Sequence, residues 1–249
     1  MNLEKVIAVR KAKKVYKNGN DCIKVFDETY SKADILNEAL NQARVEELDI
    51  NIPKIKSVTM VEGKWAIVTE YIKGETLSDL IKNNPDKREE YFELFVDIQI
   101  GIQKLHCPLL TKLKDKMTRK IELAKISSTT KYDLLTRLES MPKGNFLCHG
   151  DFNPSNIILS EDGKVYVIDW AHATQGNPCA DAARTYLLFC LSGFAEEGNK
   201  YLELYCEKTN KKLRDVQGWL PIVAASQSVK GNEEEREFLL SWVNVVEYE

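Results

Sequence analysis

The sequence predicts an α+β chain in which a small antiparallel sheet precedes a mostly helical remainder. Three features carry this reading. Residues 5–26 contain three short apolar runs, with Asn18-Gly19-Asn20-Asp21 as a hairpin turn between the last two. Two further strand-like runs, Val58–Met60 and Trp65–Val68, flank Glu62-Gly63-Lys64. After Gly74 the composition turns helical, except for a late pair of apolar runs on either side of Glu161-Asp162-Gly163-Lys164.

The first strands are expected at Val6–Val9, Val15-Tyr16 and Cys22–Phe26. Within the third, Lys24 is flanked by apolar residues, and a buried ammonium is costly without a partner. A helix should start at Ser31, where Asp34 completes a capping pattern with Asp in place of Glu, and run to about Leu48. Leu36, Ala39, Leu40 and Ala43 would form its apolar face, with Glu38 at the border. Pro53 ends that segment. Beyond Gly74, helices are expected at Glu75–Asn83 and Tyr91–Leu105, then one or two over 111–140 with a break near Ser127–Thr130. A loop at Gly176-Asn177-Pro178 leads into an apolar helix opened by Asp181, and the chain beyond it reads as helical.

The chain has 249 residues, 43% hydrophobic and 29% charged, enough for one large domain or two lobes. Its net charge of −3 lacks the basic excess of a nucleic-acid binder. The first ten residues place Glu4, Lys5 and Arg10 where a secretion signal would be apolar, and no run approaches a membrane span. A cytoplasmic protein without nucleic-acid or membrane partners is expected, acting as a monomer or weak homodimer. The six cysteines, at 22, 107, 148, 179, 190 and 206, have no paired metal spacing and read as free thiols, Cys148 being inert through burial.

The most informative stretch is Cys148–Trp170, CHGDFNPSNIILSEDGKVYVIDW. Folding its apolar runs into a hairpin brings Asp151 and Asn156, entering the first strand, toward Asp169 at the exit of the second. Three hard oxygen ligands at one point suit Mg²⁺, which keeps part of its octahedron for water and phosphate. Taken singly, each piece has a plain alternative: His149 and Asp151 also serve as turn formers. The conjunction is what points to chemistry.

This stretch resembles the aminoglycoside phosphotransferase and choline kinase group, whose fold is protein-kinase-like. The resemblance rests on HGDFNPSN as a catalytic loop and Ile168-Asp169-Trp170 as a metal-binding Asp motif. It implies a bilobal molecule, with a sheet lobe over 1–73 and a helical lobe over 74–249, and a hinge at Thr69–Gly74 where the backbone of Glu70 and Ile72 meets adenine. It further implies Asp151 as the base that receives the substrate hydroxyl proton, and Asn156 and Asp169 as magnesium ligands. His149 would shape the loop and Asp181 would brace it. Lys24 would face the nucleotide phosphates, oriented by Glu38, with Glu46 and Glu47 as alternatives. The sequence departs from kinases at Arg10-Lys11-Ala12-Lys13-Lys14, which has no glycine; its cationic side chains would supply charge to the phosphates in place of backbone, or form a solvated turn.

The expected activity is a small-molecule kinase moving the terminal phosphoryl group of ATP (or GTP), with Mg²⁺, to a hydroxyl of an aminoglycoside, amino alcohol or sugar. A nucleotide-binding scaffold of weak activity is the alternative, motivated by the glycine-free loop. A protein kinase is disfavoured by Trp170-Ala171 after Asp169, where Phe-Gly would stand. Cationic acceptors would call for an acidic pocket. The glutamates at 196, 197, 203, 207, 233–235, 247 and 249 read instead as solvated helix faces.

Overall fold

The computed structural model describes residues 3–10 and 12–243. In chain order the elements are β1 (Lys5–Arg10), β2 (Lys13–Asn18), β3 (Asp21–Phe26), α1 (Lys32–Val45), β4 (Ile55–Val61), β5 (Lys64–Glu70), β6 (Gly74–Thr76), α2 (Leu77–Asn83), α3 (Arg88–Ile102), α4 (Leu113–Leu123), α5 (Ser128–Ser140), β7 (Phe146–Cys148), β8 (Ile157–Ser160), β9 (Val165–Val167), β10 (Thr174–Gly176), α6 (Pro178–Leu191), α7 (Ala195–Thr209), α8 (Leu213–Gln217), α9 (Leu220–Gln227) and α10 (Glu233–Ser241). No described helix is long and apolar enough to cross a membrane.

Packing divides the chain into two compact units. The first joins residues 1–88 to 154–172, and the second joins 89–153 to 173–249. The lobes expected at 1–73 and 74–249 are thus drawn differently, because β6 pairs with β8 and α2 packs on the same hairpin. Gly74 permits that pairing: a Cβ there would lie 2.2 Å from the Leu159 carbonyl oxygen.

The first unit holds a five-stranded antiparallel sheet of order β1-β2-β3-β5-β4. Alternation along β3 sends Ile23 and Val25 to one face, where they pack with Val61, Ala66 and Val68. Phe26 goes to the other face, against Ile35 and Ala39 of α1. Lys24, two residues before Phe26, shares the α1 side. α1 is capped by Ser31, whose hydroxyl oxygen accepts from the Asp34 N–H at 3.1 Å.

The expected apolar face of α1 is wrong. Its buried stripe is Ile35, Glu38, Ala39, Gln42 and Val45 with Asn41, whereas Leu36, Leu40 and Ala43 face solvent. Polar residues occupy the inner face because it meets polar partners. Gln42 donates to the Pro53 carbonyl (2.6 Å), and Asn41 donates to the Ala171 carbonyl (3.1 Å). The helix also ends sooner than expected, at Val45, and the Glu46 carboxylate accepts the Ile55 N–H (2.7 Å). Gly74–Thr76, expected as loop and helix start, is a strand, so α2 begins at Leu77 with Thr76 as its N-cap.

The second unit is helical around a buried aromatic group: Phe95 stacks on Phe152 and meets Phe189 and Tyr201 edge-on. α6 begins at Pro178 rather than at Asp181, and Asn177 is its N-cap. Asp181 is therefore free for another task. α9 is buried along its length through Ser226 and packs against both α4 and α6.

Candidate active site

In the first unit, the Lys24 ammonium lies 2.6 Å from a Glu38 oxygen and 3.2 Å from an Asp169 oxygen. Strand alternation puts Lys24 under α1, and the buried stripe of α1 delivers Glu38 to it. Of the alternatives to Glu38, Glu46 is occupied by the Ile55 N–H. A second ammonium, Lys13, lies 3.4 Å from Asp169 and 3.9 Å from Glu38. Two cations and two carboxylates thus alternate around one point. Burial opposes the charge of Lys24, yet Asp169 and Glu38 hold it protonated well above the usual lysine range. Burial likewise opposes ionisation of Asp169, while Lys24, Lys13 and His172 more than offset this and hold it well below the usual carboxylate range.

The hairpin of β8 and β9 brings Asn156 to Asp169. Ile157 pairs with Val167, and one step further the Ile168 N–H donates to the Asn156 carbonyl at 2.9 Å. Asp169 leaves the strand with φ +64°, a left-handed conformation that Asp tolerates better than most residues and that turns its side chain away from the hairpin ladder. Trp170, fully buried, fixes the turn by donating its indole N–H to the Val167 carbonyl (3.0 Å). An amide and a carboxylate at the mouth of one hairpin form a hard-oxygen pair suited to Mg²⁺, which needs few protein ligands. Among the described residues no cluster of three or more His, Cys, Asp or Glu offers a softer or fuller metal cage.

Glu70 and Ile72 close the strand region of this unit. The Glu70 N–H donates to the Lys54 carbonyl (3.0 Å), which leaves only its carbonyl for a base.

The second unit carries the HGD loop. Gly150 takes φ +77°, the conformation that turns the chain between His149 and Asp151. His149 is fully buried, meets Phe152 edge-on, and its Nδ1 accepts the Asp151 N–H at 3.2 Å. Asp181 accepts the Gly150 N–H (2.8 Å) with one oxygen, and Gln99 and Gln103 (3.1 and 3.0 Å) with the other. Tyr201 and Tyr205 donate to those glutamines in turn. A buried carboxylate is thereby satisfied by three direct donors, two of them backed by tyrosines, and it braces the loop from the helix behind it. The Asp151 carboxylate remains partly exposed, with the Arg184 guanidinium 3.8 Å away.

Sequence reasoning missed two features: Lys13 as a member of the Asp169 cluster, and Arg184 beside Asp151. Lys13 was visible only as part of a basic run. Of that run, Arg10 and Lys14 are exposed and Lys11 lies outside the described residues. The C-terminal glutamates are exposed, apart from a half-buried Glu197 and from Glu247 and Glu249, which are outside the described residues. The described cysteines are free, and burial pushes the Cys148 thiol well above its ordinary range.

Comparison with known proteins bears on the family and the fold. The model of the phosphotransferase enzyme family matches residues 15–219. No curated protein matches the sequence. Among solved structures, a thermostable mutant of the aminoglycoside phosphotransferase APH(4)-Ia, in ternary complex with ADP and hygromycin B, superposes with a TM-score of 0.70 at 13% identity, covering 98% of this chain and 92% of that one. The choline kinase LicA from Streptococcus pneumoniae gives 0.67 at 18% identity, with 98% and 92% covered. A choline/ethanolamine kinase family protein from Mesorhizobium loti gives 0.59 at 13% identity, with 97% and 86% covered. At these identities the likeness establishes a kinase-like fold. With more than four-fifths of the sequence matched by the family model, the chain belongs to the phosphotransferase enzyme family.

Proposed function

We propose that this phosphotransferase is a small-molecule kinase, using ATP (or GTP) with Mg²⁺ to phosphorylate a hydroxyl. The observation that carries the reading is the convergence of Lys24, Glu38 and Lys13 on Asp169, with Asn156 held across the hairpin mouth. Neighbouring structures that contain ADP, AMP-PNP or AMP support a nucleotide co-substrate.

The roles follow from charge. A nucleotide's phosphates are anionic, and phosphoryl transfer is accelerated mainly by positioning and electrostatics. Lys24, oriented by Glu38, and Lys13 supply positive charge to the phosphates. In this chain Lys13 takes the place of a glycine-rich loop, which weakens the case for an inactive scaffold. Asp169 and Asn156 would hold Mg²⁺, which would supply positive charge against that developing on the transferred phosphoryl group. The Glu70 carbonyl and the Ile72 N–H are the backbone groups offered to the base. Asp151 takes the proton of the acceptor hydroxyl, and the loop that presents it is kept in place by His149 and Asp181.

Asp151→Asn tests the assignment. The substitution keeps the size of the side chain and removes its basicity, so kcat should fall roughly a hundredfold or more. Nucleotide affinity measured by calorimetry should stay within a few-fold of wild type. Turnover that survives the change would refute the role of Asp151.

A further inference from the structure

Helix α6 addresses the HGD loop with two residues one turn apart. Asp181 accepts the Gly150 N–H at 2.8 Å, and Arg184, on the next turn, brings its Nη2 to 3.8 Å from an Asp151 oxygen. Neighbouring turns of one helix thus meet neighbouring residues of one loop. The two contacts differ in kind. Asp181 braces the backbone by a hydrogen bond, whereas Arg184 at 3.8 Å acts on Asp151 as a charge and not as a donor.

Stability does not account for Arg184. Its side chain is 14% exposed, and its Nε and Nη1 are buried without a hydrogen-bond partner among the described residues. Buried donors left idle are destabilising. Burial holds the guanidinium below the ordinary arginine range although Asp151, Asp181 and Glu235 attract it. Lys116 and Lys120 of α4 add repulsion. Neither carboxylate beside Arg184 would be stranded without it. Asp181 accepts from Gly150, Gln99 and Gln103, and the Asp151 side chain, 28% exposed, reaches solvent. An apolar side chain of similar length would occupy the same place without the idle donors. Buried charges replaced in this way commonly leave a protein as stable or more so. A group retained against stability, beside the residue that receives the proton, marks a functional constraint.

We propose that Arg184 is a positioning residue for the reaction. Its buried charge holds the Asp151 carboxylate in the orientation that receives the acceptor's hydroxyl proton, and the protein is less stable for keeping it. The inference rests on the kinase reading and adds a residue to that same site. Arg184 touches neither substrate in this role. It acts through Asp151, as a charge preorganised within α6 before any hydroxyl arrives.

The test uses the full chain and reads ADP release from Mg·ATP, with water alone and with choline, kanamycin or ribose as acceptor, in the condition where wild type turns over fastest. Arg184→Met keeps the stem and removes the charge. Its thermal midpoint should rise by about 2 °C or more. Its kcat should fall about tenfold or more, while KM for Mg·ATP stays within about twofold of wild type. Arg184→Lys, which returns a charge, should recover most of the lost kcat. In an Asp151→Asn background, Arg184→Met should change kcat by less than about twofold, because the group it positions is gone. A merely structural arginine behaves otherwise: Arg184→Met then has a lower midpoint or does not fold, and kcat drops by the same factor with or without Asp151. Either result overturns the inference. So does an unchanged midpoint, a kcat kept within about threefold in Arg184→Met, or a lysine that restores none of the loss. A wild type that binds Mg·ATP by calorimetry yet releases no ADP also overturns it, with nucleotide binding left standing. One that binds no Mg·ATP defeats the kinase reading itself.

Discussion

Lys13 offers the sharpest test of the phosphate-binding unit, because it opens β2 directly after a turn that lacks the expected glycine. Its ammonium is 3.4 Å from Asp169, and the two side chains are 15% and 25% exposed. At that distance and an effective dielectric of about 20, the direct attraction is about 5 kcal/mol. Desolvation removes most of this, and Lys24 competes for the same carboxylate at 3.2 Å, so a net coupling of about 1–2 kcal/mol is expected. A double-mutant cycle of Lys13→Met and Asp169→Asn, read by denaturant unfolding at low and at 0.5 M salt, isolates that term; partial exposure predicts a modest decline with salt. The same Lys13→Met protein should bind Mg·ATP roughly tenfold more weakly, about the 1.4 kcal/mol that one well-placed phosphate contact is worth. A coupling below about 0.3 kcal/mol, inside the additivity expected of independent sites, together with unchanged nucleotide affinity, would show that Lys13 merely lies on the surface nearby.

Three further outcomes are expected. Asp181→Ala leaves the Gly150 N–H and the Gln99 and Gln103 amides without their buried acceptor, so unfolding free energy should fall by about 3 kcal/mol or more and kcat should fall with it; a change under about 1 kcal/mol would show that the brace is dispensable. Asp169 is held below its ordinary range and Lys24 above its own, so their contribution to stability is fully present between about pH 4 and pH 10, lost below as Asp169 protonates and above as Lys24 deprotonates; Asp169→Asn should remove the acid-side loss that wild-type thermal unfolding shows below about pH 4. Lys116 and Lys120 have the opposite sign. Folded values near 8 and 7 lie below the unfolded lysine value, so the unfolded chain binds more protons between about pH 7 and 10 and stability should rise with pH there. The charged neighbours that set this are Arg119 on α4, Arg184 and Asp181 on α6, Asp151, Lys230 and Glu235. Thermal unfolding followed from about pH 6.5 to 9 checks this, and a flat profile would contradict it.

The parts of this protein legible in its sequence are those where one residue type answers one local demand. An alternating strand with a lysine in its middle requires a partner, and the helix that follows supplies Glu38. The Asn156 and Asp169 pairing was readable because a hairpin turn fixes register: once Glu161–Lys164 closes the loop, the ends of the strands must meet. Reading failed where the demand comes from across the fold. Leu36, Leu40 and Ala43 satisfy an apolar helix period, yet they face solvent, because the inner side of α1 is claimed by the Pro53 and Ala171 carbonyls and by the lysine beneath. No pattern internal to residues 31–48 encodes those partners.

The same limit explains why the charge around Asp151 is not legible in the sequence. Acidic residues dominate the C-terminal third by number, which suggested an acidic pocket only if they faced inward, and the described ones lie mainly on solvated faces. The cations that do gather come from α4, from the middle of α6 and from the segment after α9, more than a hundred residues apart at the extremes, and each alone reads as an ordinary surface lysine or arginine. They share one neighbourhood with Asp151 only because the fold brings them there. Net charge is a property of the chain, whereas substrate charge selection belongs to a patch about one ligand wide. An overall value of −3 therefore places no constraint on it, because a few cations can gather locally in a chain whose total charge is negative.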